Sequence, residues 1–180
     1  LTFVTWLLSY AIGYGFATII MAVLIVGSVS FYILRRHGAP KIRLKEIVHA
    51  ELVFLSVFFI FLTIQMHHPF IEGYGVMTAF SGERFSDSLF VSALSRSTQL
   101  PPDDPWLSGV MLYHYYYLGH LTGSILNMLT AIPVNILLNL AGPTLAGLAA
   151  AMAYGIVHNL TGKKKYGILS VFLIIFAGNY

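Results

Sequence analysis

The stretch FATIIMAVLIVGSVSFYIL at residues 16–34 carries no charged side chain, and Arg35 and Arg36 follow it directly. A helix of that length is about as long as the hydrocarbon core of a bilayer is thick. The whole chain shares this composition, since 57% of its 180 residues are hydrophobic and only 9% are charged. Soluble domains carry about 25% charged residues, and disordered chains are poor in hydrophobic ones. The sequence therefore predicts an all-α, polytopic transmembrane protein.

Three further apolar segments extend this prediction. Segments 47–66 and 134–157 are each long enough to cross a bilayer, and 166–180 begins a span that is cut off. Segment 1–12 is too short to cross alone, and we interpret it as the tail of a helix whose start is missing. The chain is thus expected to be a fragment of a single membrane domain. It contains no cysteine, which excludes disulfides and thiolate metal sites.

The basic residues predict an orientation. Eight of the ten Lys and Arg fall in the predicted loops 35–46 and 158–165, and the positive-inside bias makes both loops cytoplasmic. Loop 67–133 would then lie outside, and its segment 110–132 would be a juxtamembrane or re-entrant helix. The alternative is an ordinary transmembrane hairpin, in which 110–132 also crosses and the lysines face outward. The two clusters form no basic stripe, so membrane lipids are expected partners and nucleic acid is not.

The predicted outer loop holds five of the seven acidic residues. Its segment 83–98 has the period of an amphipathic helix, with Phe85 and Leu89 on the apolar stripe and Phe90 and Leu94 widening it. We expect this helix to lie on the membrane with that face down. Glu83 and Asp87 are four residues apart and would share a helix face. Such a pair could hold a divalent cation or accept a proton. The alternative is that Asp87, or Ser86, only caps the helix.

Two other features of the loop carry charge. The segment PPDDPW at 101–106 is a rigid turn, because proline restricts its own backbone and that of the preceding residue. Asp104 could act there as a base or a metal ligand, or the turn could merely present Trp106 to the interface. Arg84 and Arg96 could each bind a phosphate through two N–H groups. Ordinary ion pairs with the neighbouring acids are the alternative.

The histidines do not predict a haem site. His114 and His120 are six residues apart, which is not the spacing that lets two imidazoles share a metal on one helix. His49 belongs to the opposite end of the predicted spans. An attached haem would also require cysteine, so no haem is expected.

A set of short motifs between Gly82 and His120 gives the chain a family resemblance. The motifs are GERFSD at 82–87, RS at 96–97, PPDDPWLSG at 101–109 and YYYLGH at 115–120. In this order they resemble the "YYY" family of bacterial and archaeal multi-spanning membrane proteins, which is named for its tyrosine triplet and largely lacks an assigned function. That family usually has Lys where this chain has Arg84. The resemblance implies a location in a prokaryotic cell membrane.

The "YYY" family is similar, more distantly, to membrane glycosyltransferases of the GT-C type, which take sugars from lipid-phosphate donors. This resemblance implies transfer of a sugar from a polyprenyl-phosphate-type donor at the extracytoplasmic face. It implies acid–base or metal-binding roles, in order of preference, for Asp87, Glu83 and Asp104. It implies contacts to the substrate from Arg84, Arg96, Tyr116, Tyr117 and His120. Enzymatic activity stays an open question, because a non-enzymatic transporter or assembly scaffold would have the same hydrophobic frame.

Overall fold

The computed structural model describes residues 1–38, 44–66, 70–71, 75–76, 82–113 and 117–177. The described chain is almost entirely helical, which confirms the predicted all-α class. Its helices are α1 Thr2–Ile12, α2 Phe16–His37, α3 Leu44–Met66, α4 Gly82–Arg96, α5 Leu118–Thr130, α6 Val134–Thr161 and α7 Lys164–Phe176. Two short antiparallel strands follow α3, namely β1 Phe70–Ile71 and β2 Gly75–Val76.

Three of these helices are long and apolar enough to cross a membrane. They are α2, α3 and α6, and they contain the predicted spans 16–34, 47–66 and 134–157. Helix α2 continues through Arg35–His37 and ends at Gly38, which has a positive φ of 77°. Helix α7 begins within the lysine cluster and covers the predicted last span as far as Phe176.

The chain divides into two compact units. Unit 1 comprises residues 1–39 and 80–138, and unit 2 comprises residues 40–79 and 139–180. Unit 1 therefore contains α1, α2, α4, α5 and the first residues of α6. Unit 2 contains α3, β1, β2, the rest of α6, and α7.

The core of unit 1 forms where α4 packs against α5. Phe90, Val91 and Leu94 on α4 are buried, as are Leu121 and Ile125 on α5. A Cβ added to Gly123 of α5 would lie only 3.0 Å from a Val91 methyl group, so the two helices approach closely. The apolar face of α4 thus packs on protein at these positions. Our expectation that this face rests on lipid is wrong there, because α5 offers it a matching apolar stripe.

Residues 110–113, which were predicted to begin α5, are not helical. Asp103 pairs with Met111 in an isolated antiparallel bridge, and the Leu112 amide donates to the Pro102 carbonyl at 2.9 Å. These bonds use backbone groups that a helix would need, so α5 begins at Leu118, eight residues after the start predicted for it. With 13 residues, α5 is about 20 Å long, which is too short to cross a bilayer alone.

Helices α3, α6 and α7 pack closely in unit 2 through small residues. A Cβ added to Gly147 of α6 would lie 2.8 Å from a Phe54 ring carbon and 3.0 Å from the Phe54 carbonyl oxygen. A Cβ added to Gly167 of α7 would lie 2.8 Å from the Tyr154 ring. Glycine permits such contacts between helices in a membrane, where close packing replaces the hydrophobic effect as the main attraction.

Polar contacts mark the two ends of unit 2. At one end the Gln65 side chain donates to the Asn139 side-chain oxygen at 3.0 Å. At the other end the Lys164 ammonium lies 2.7 Å from His49 Nε2. Helices α3 and α6 are therefore antiparallel, and the start of α3 lies beside the lysine cluster.

The Gly147 contact gives a test of the packing in unit 2. We expect Gly147→Leu to destabilise the protein by about 1–3 kcal/mol, because the new side chain would overlap Phe54. Gly155→Leu on the same helix is the matched control, since no atom lies within 4 Å of the Cβ position there. Thermal unfolding in detergent measures both changes. Equal losses of stability in the two variants would contradict the close contact between α3 and α6.

Candidate functional site

The strongest candidate site in unit 1 pairs an acidic residue of α4 with a histidine of α5. His120 Nε2 lies 2.8 Å from Asp87 Oδ1. An ionised carboxylate can only accept, so the imidazole N–H donates this bond. The Asp87 side chain is 38% exposed, whereas that of His120 is 15% exposed. The more buried His120 thus orients the Asp87 carboxylate, which remains accessible at the surface of the protein.

The aromatic ring of Phe90 helps to fix the histidine. Its centroid lies 5.3 Å from that of the imidazole, with the two rings at 64° in an edge-to-face arrangement. Phe90 belongs to the core between α4 and α5 and is 5% exposed. The same packing that joins the two helices therefore determines the position of the imidazole. The imidazole in turn fixes the position of the Asp87 carboxylate.

Helix α4 also determines which other charged residues are near Asp87. Positions 83 and 84 precede Asp87 by four and three residues, so they share its side of the helix. The side chains of Glu83 and Arg84 lie outside the described part of the structure, as does all of Tyr116. Because α4 begins at Gly82, Asp87 lies beyond the first turn. The alternative prediction, that Asp87 caps this helix, is therefore wrong.

Asp104 stabilises the loop in which it lies. Its Oδ1 accepts the backbone N–H groups of Trp106 at 2.8 Å and Leu107 at 3.2 Å, and its own N–H donates to the Val110 carbonyl at 2.8 Å. These bonds all lie within one loop and hold Trp106 with 56% of its surface exposed. They agree with the alternative reading of this segment as a rigid turn that presents an aromatic ring.

Arg96 lies far from Asp87 along α4. It belongs to the last turn of the helix, is exposed, and its Nε donates to the Ser92 carbonyl at 3.2 Å. Nine residues separate it from Asp87, which corresponds to about 14 Å along the helix axis. The backbone of α4 thus brings Arg84, and not Arg96, to the turn of helix beside Asp87.

Tyr117 forms hydrogen bonds with two side chains of α1. The indole N–H of Trp6 donates to the Tyr117 hydroxyl at 3.2 Å, and the Tyr10 hydroxyl lies 3.5 Å from it. Burial raises the pKa of Tyr117 to about 12, the Tyr10 hydrogen bond adds to this rise, and the Trp6 hydrogen bond opposes it. Trp6 and Tyr10 were not predicted to belong to the site. Because 111 residues separate Trp6 from Tyr117, local spacing gave no signal for their contact.

A second group of hydroxyls lies in the core of unit 1. The Tyr14 hydroxyl is 2.7 Å from Ser124 Oγ, and the Ser95 hydroxyl donates to Ser124 Oγ at 3.2 Å. Burial raises the pKa of Tyr14, so this phenol stays protonated. The chain links the α1–α2 junction to α5 and α4. The sequence signal that could have found it is the presence of serines inside the apolar faces of α4 and α5.

In the described part of the chain, no three His, Asp or Glu side chains come together in a way that could hold a metal ion. The Glu83 carboxylate, which the cation prediction pairs with Asp87, lies outside that part. The divalent-cation site at Glu83 and Asp87 therefore stays a prediction.

Comparison with known proteins gives a family. A model of a family of uncharacterized membrane proteins, DUF2298, matches residues 1–180, and the chain belongs to that family. No curated protein and no solved structure matches the chain. The family match supports the membrane class that composition had predicted.

The raised pKa of Tyr117 can be measured. Folding favours the protonated phenol, so the stability that Tyr117 contributes is complete below pH 10.0 and is lost as the pH rises toward about 12. We expect the phenolate absorbance that distinguishes the natural protein from Tyr117→Phe to develop near pH 12. In a denaturing detergent the pH midpoint of the same absorbance difference should return to the ordinary phenol pKa of 10.0. A difference centred near pH 10.0 in the folded protein would contradict the burial of this phenol.

Proposed function

We propose that this member of the DUF2298 family is a membrane glycosyltransferase that moves a sugar from a polyprenyl-phosphate-type donor to an acceptor hydroxyl at the extracytoplasmic face. The observation that carries the proposal is the accessible Asp87 carboxylate, which His120 holds at 2.8 Å. A carboxylate fixed in this way is suited to accept a proton from a bound substrate. The motifs shared with the "YYY" family, and that family's resemblance to GT-C enzymes, supply the substrate class.

In the proposed reaction Asp87 is the general base. It removes the proton of the acceptor hydroxyl while the acceptor oxygen forms a bond to the anomeric carbon of the sugar. The bond between that carbon and the phosphate oxygen breaks, and polyprenyl phosphate leaves with the bonding electrons. His120 is a positioning residue, because it contacts one oxygen of the Asp87 carboxylate, whose side chain remains 38% exposed. Arg84, one turn before Asp87, would stabilise the charge that develops on the phosphate.

Contacts in unit 2 support the orientation that the proposal requires. Because His49 near the start of α3 contacts Lys164 at the start of α7, the start of α3 and the lysine cluster lie at the same end of this unit. An even number of crossings then separates them, which α3 and α6 provide together. Helix α5 is too short to add a crossing alone. These facts favour basic loops 35–46 and 158–165 on one side of the membrane and loop 67–133 on the other, and the positive-inside bias makes the basic side cytoplasmic.

The competing proposal is a non-enzymatic membrane protein, either a transporter or an assembly scaffold. The contact between Gln65 and Asn139 is the observation that favours it, because polar groups between spanning helices often line transport routes. In this structure the Gln65 amide donates to the Asn139 oxygen, and Gln65 is 7% exposed. The two side chains thus hydrogen-bond to each other and join α3 to α6. Because this structural role explains the pair without transport, we prefer the enzyme proposal.

The catalytic proposal is tested by substitution of its base. We expect Asp87→Asn in the full-length protein to reduce sugar transfer from a polyprenyl-phosphate sugar by about 100-fold or more, the usual range for loss of a general base. Asp103→Asn is the matched control, since Asp103 is an exposed aspartate of the same predicted loop. Transfer is measured with labelled donor in proteoliposomes. Undiminished transfer by a well-expressed Asp87→Asn protein would eliminate Asp87 as the base.

The proposed orientation is tested by labelling. The chain has no cysteine, so single cysteines can report which side of the membrane a position faces, once any others in the full-length protein are replaced. We expect Ser108→Cys to react with an impermeant maleimide on intact cells. His37→Cys and Thr161→Cys should react only after permeabilisation. Labelling of Ser108→Cys and Thr161→Cys from the same side would support the alternative hairpin, in which 110–132 crosses.

A further inference from the structure

An apolar groove with a basic rim lies within unit 2. It has a volume of about 260 Å³ and is formed by α3, α6 and α7. His49 and Lys164 form its polar end, and Val53, Val57, Ile168 and Val171 belong to its apolar wall. The volume is slightly below that of ordinary small-molecule pockets, which hold roughly 300–1,000 Å³. The groove could therefore take a slender apolar segment and not a bulky ligand.

The groove changes from polar to apolar along the helix axis. Its α3 residues occur at positions 49, 52, 53, 56 and 57, which recur every three or four residues on one face of the helix. They extend the groove by about 12 Å from the start of α3 toward its middle. The polar end coincides with the lysine cluster, and the α3 residues beyond His49 lie further along the apolar span Ile47–Met66. The surface thus has the polarity of a membrane lipid, with a charged head at the interface and a chain below it.

The hydrogen bonds at the rim leave positive charge available. His49 Nδ1 contacts the Lys45 carbonyl oxygen, which can only accept, so Nδ1 carries the proton and Nε2 accepts from Lys164. His49 is neutral in this arrangement, and the net charge at the rim comes from lysine. An ammonium group has three donors, and His49 accepts one of those of Lys164. The other two can bind an anionic oxygen.

Neighbouring lysines add to the field at this end of the unit. Lys163 and Lys165 lie 5.7 Å and 5.1 Å from the centroid of the Tyr166 ring. Both are exposed, as is Lys164, and only Lys164 of the three lines the groove. The cluster therefore combines one lysine placed at the groove with two that contribute charge from outside it.

We propose that this groove binds an anionic phospholipid of the surrounding membrane. Part of one acyl chain occupies the apolar wall, and the phosphate accepts hydrogen bonds from Lys164. Charge complementarity selects an anionic headgroup, and the apolar wall selects a lipid over a soluble phosphate. Basic sites between transmembrane helices on the cytoplasmic side are suited to such headgroups, which agrees with the orientation proposed above for the lysine cluster.

Native mass spectrometry of the full-length protein in detergent tests this proposal. Dioleoyl phosphatidylglycerol and dioleoyl phosphatidylcholine are added in separate titrations, with inorganic phosphate as a third. We expect the phosphatidylglycerol adduct to be the tightest of the three. Lys164→Gln should weaken it about fivefold, the contribution expected of one lysine, and Lys164→Arg should preserve it. Val53→Trp, which fills the apolar wall, should weaken the phosphatidylglycerol and phosphatidylcholine adducts alike.

Lys165→Gln is the matched control, because it removes the same charge from the same cluster without altering the groove. Equal weakening by Lys164→Gln and Lys165→Gln would overturn the proposal in favour of diffuse attraction to anionic lipid. Equal adducts of phosphatidylglycerol and phosphatidylcholine would overturn the selection for a net anionic headgroup. Displacement of the lipid by inorganic phosphate would show a soluble-anion site instead. Both glutamine substitutions alter exposed side chains, so the comparison stands even if Val53→Trp fails to fold.

Discussion

The packing of α4 against α5 is the interaction on which the candidate site depends. Phe90, Val91 and Leu94 meet Leu121 and Ile125 in a core from which water is excluded. Asp87 lies one turn before that apolar stripe, and His120 directly precedes Leu121. The apolar contact therefore sets the distance between the two polar side chains. The Asp87 carboxylate is held in place while it stays partly exposed, so its charge is not buried. Burial of an unpaired charge would oppose folding strongly, so a paired carboxylate at the edge of the core is the arrangement that packing permits.

Unit 2 shows how a chain with 9% charged residues distributes its few polar contacts. Gln65 and Asn139 bond to each other at one end, while His49 and Lys164 bond at the other. Between these ends the helices meet through glycine, as at Gly147 and Phe54. Polar groups inside a bilayer must find partners within the protein. The pair of Gln65 and Asn139 therefore helps to fix the register of α3 and α6, and the pair of His49 and Lys164 that of α3 and α7. Lys164, which remains exposed at one end, forms the polar end of the groove together with His49.

The sequence predicted the features that the membrane itself imposes. Spans must reach a minimum length without charge, so α2, α3 and α6 were found with small errors at their ends. The period of 3.6 residues likewise predicted α4 over 83–98, against Gly82–Arg96 in the structure. Long-range packing was not predictable in this way. The apolar face of α4 was assigned to lipid, because hydrophobicity alone does not distinguish a lipid from a second helix. The start of α5 was placed at residue 110, because the backbone bonds between Pro102 and Leu112 leave no periodic signal.

The sequence named the residues of the candidate site, but it did not predict which of them are in contact. Asp87 and His120 were both named from motifs, yet they are 33 residues apart, and only the packing of α4 on α5 brings them together. In the function proposed above, this pair faces a lipid-linked phosphate. An experimental structure of the full-length protein with polyprenyl phosphate in a lipid bilayer tests it most directly. We expect the phosphate beside the face of α4 that carries Arg84 and Asp87, with the bond between Asp87 and His120 intact. A phosphate bound elsewhere, with Asp87 facing only solvent, would contradict the account.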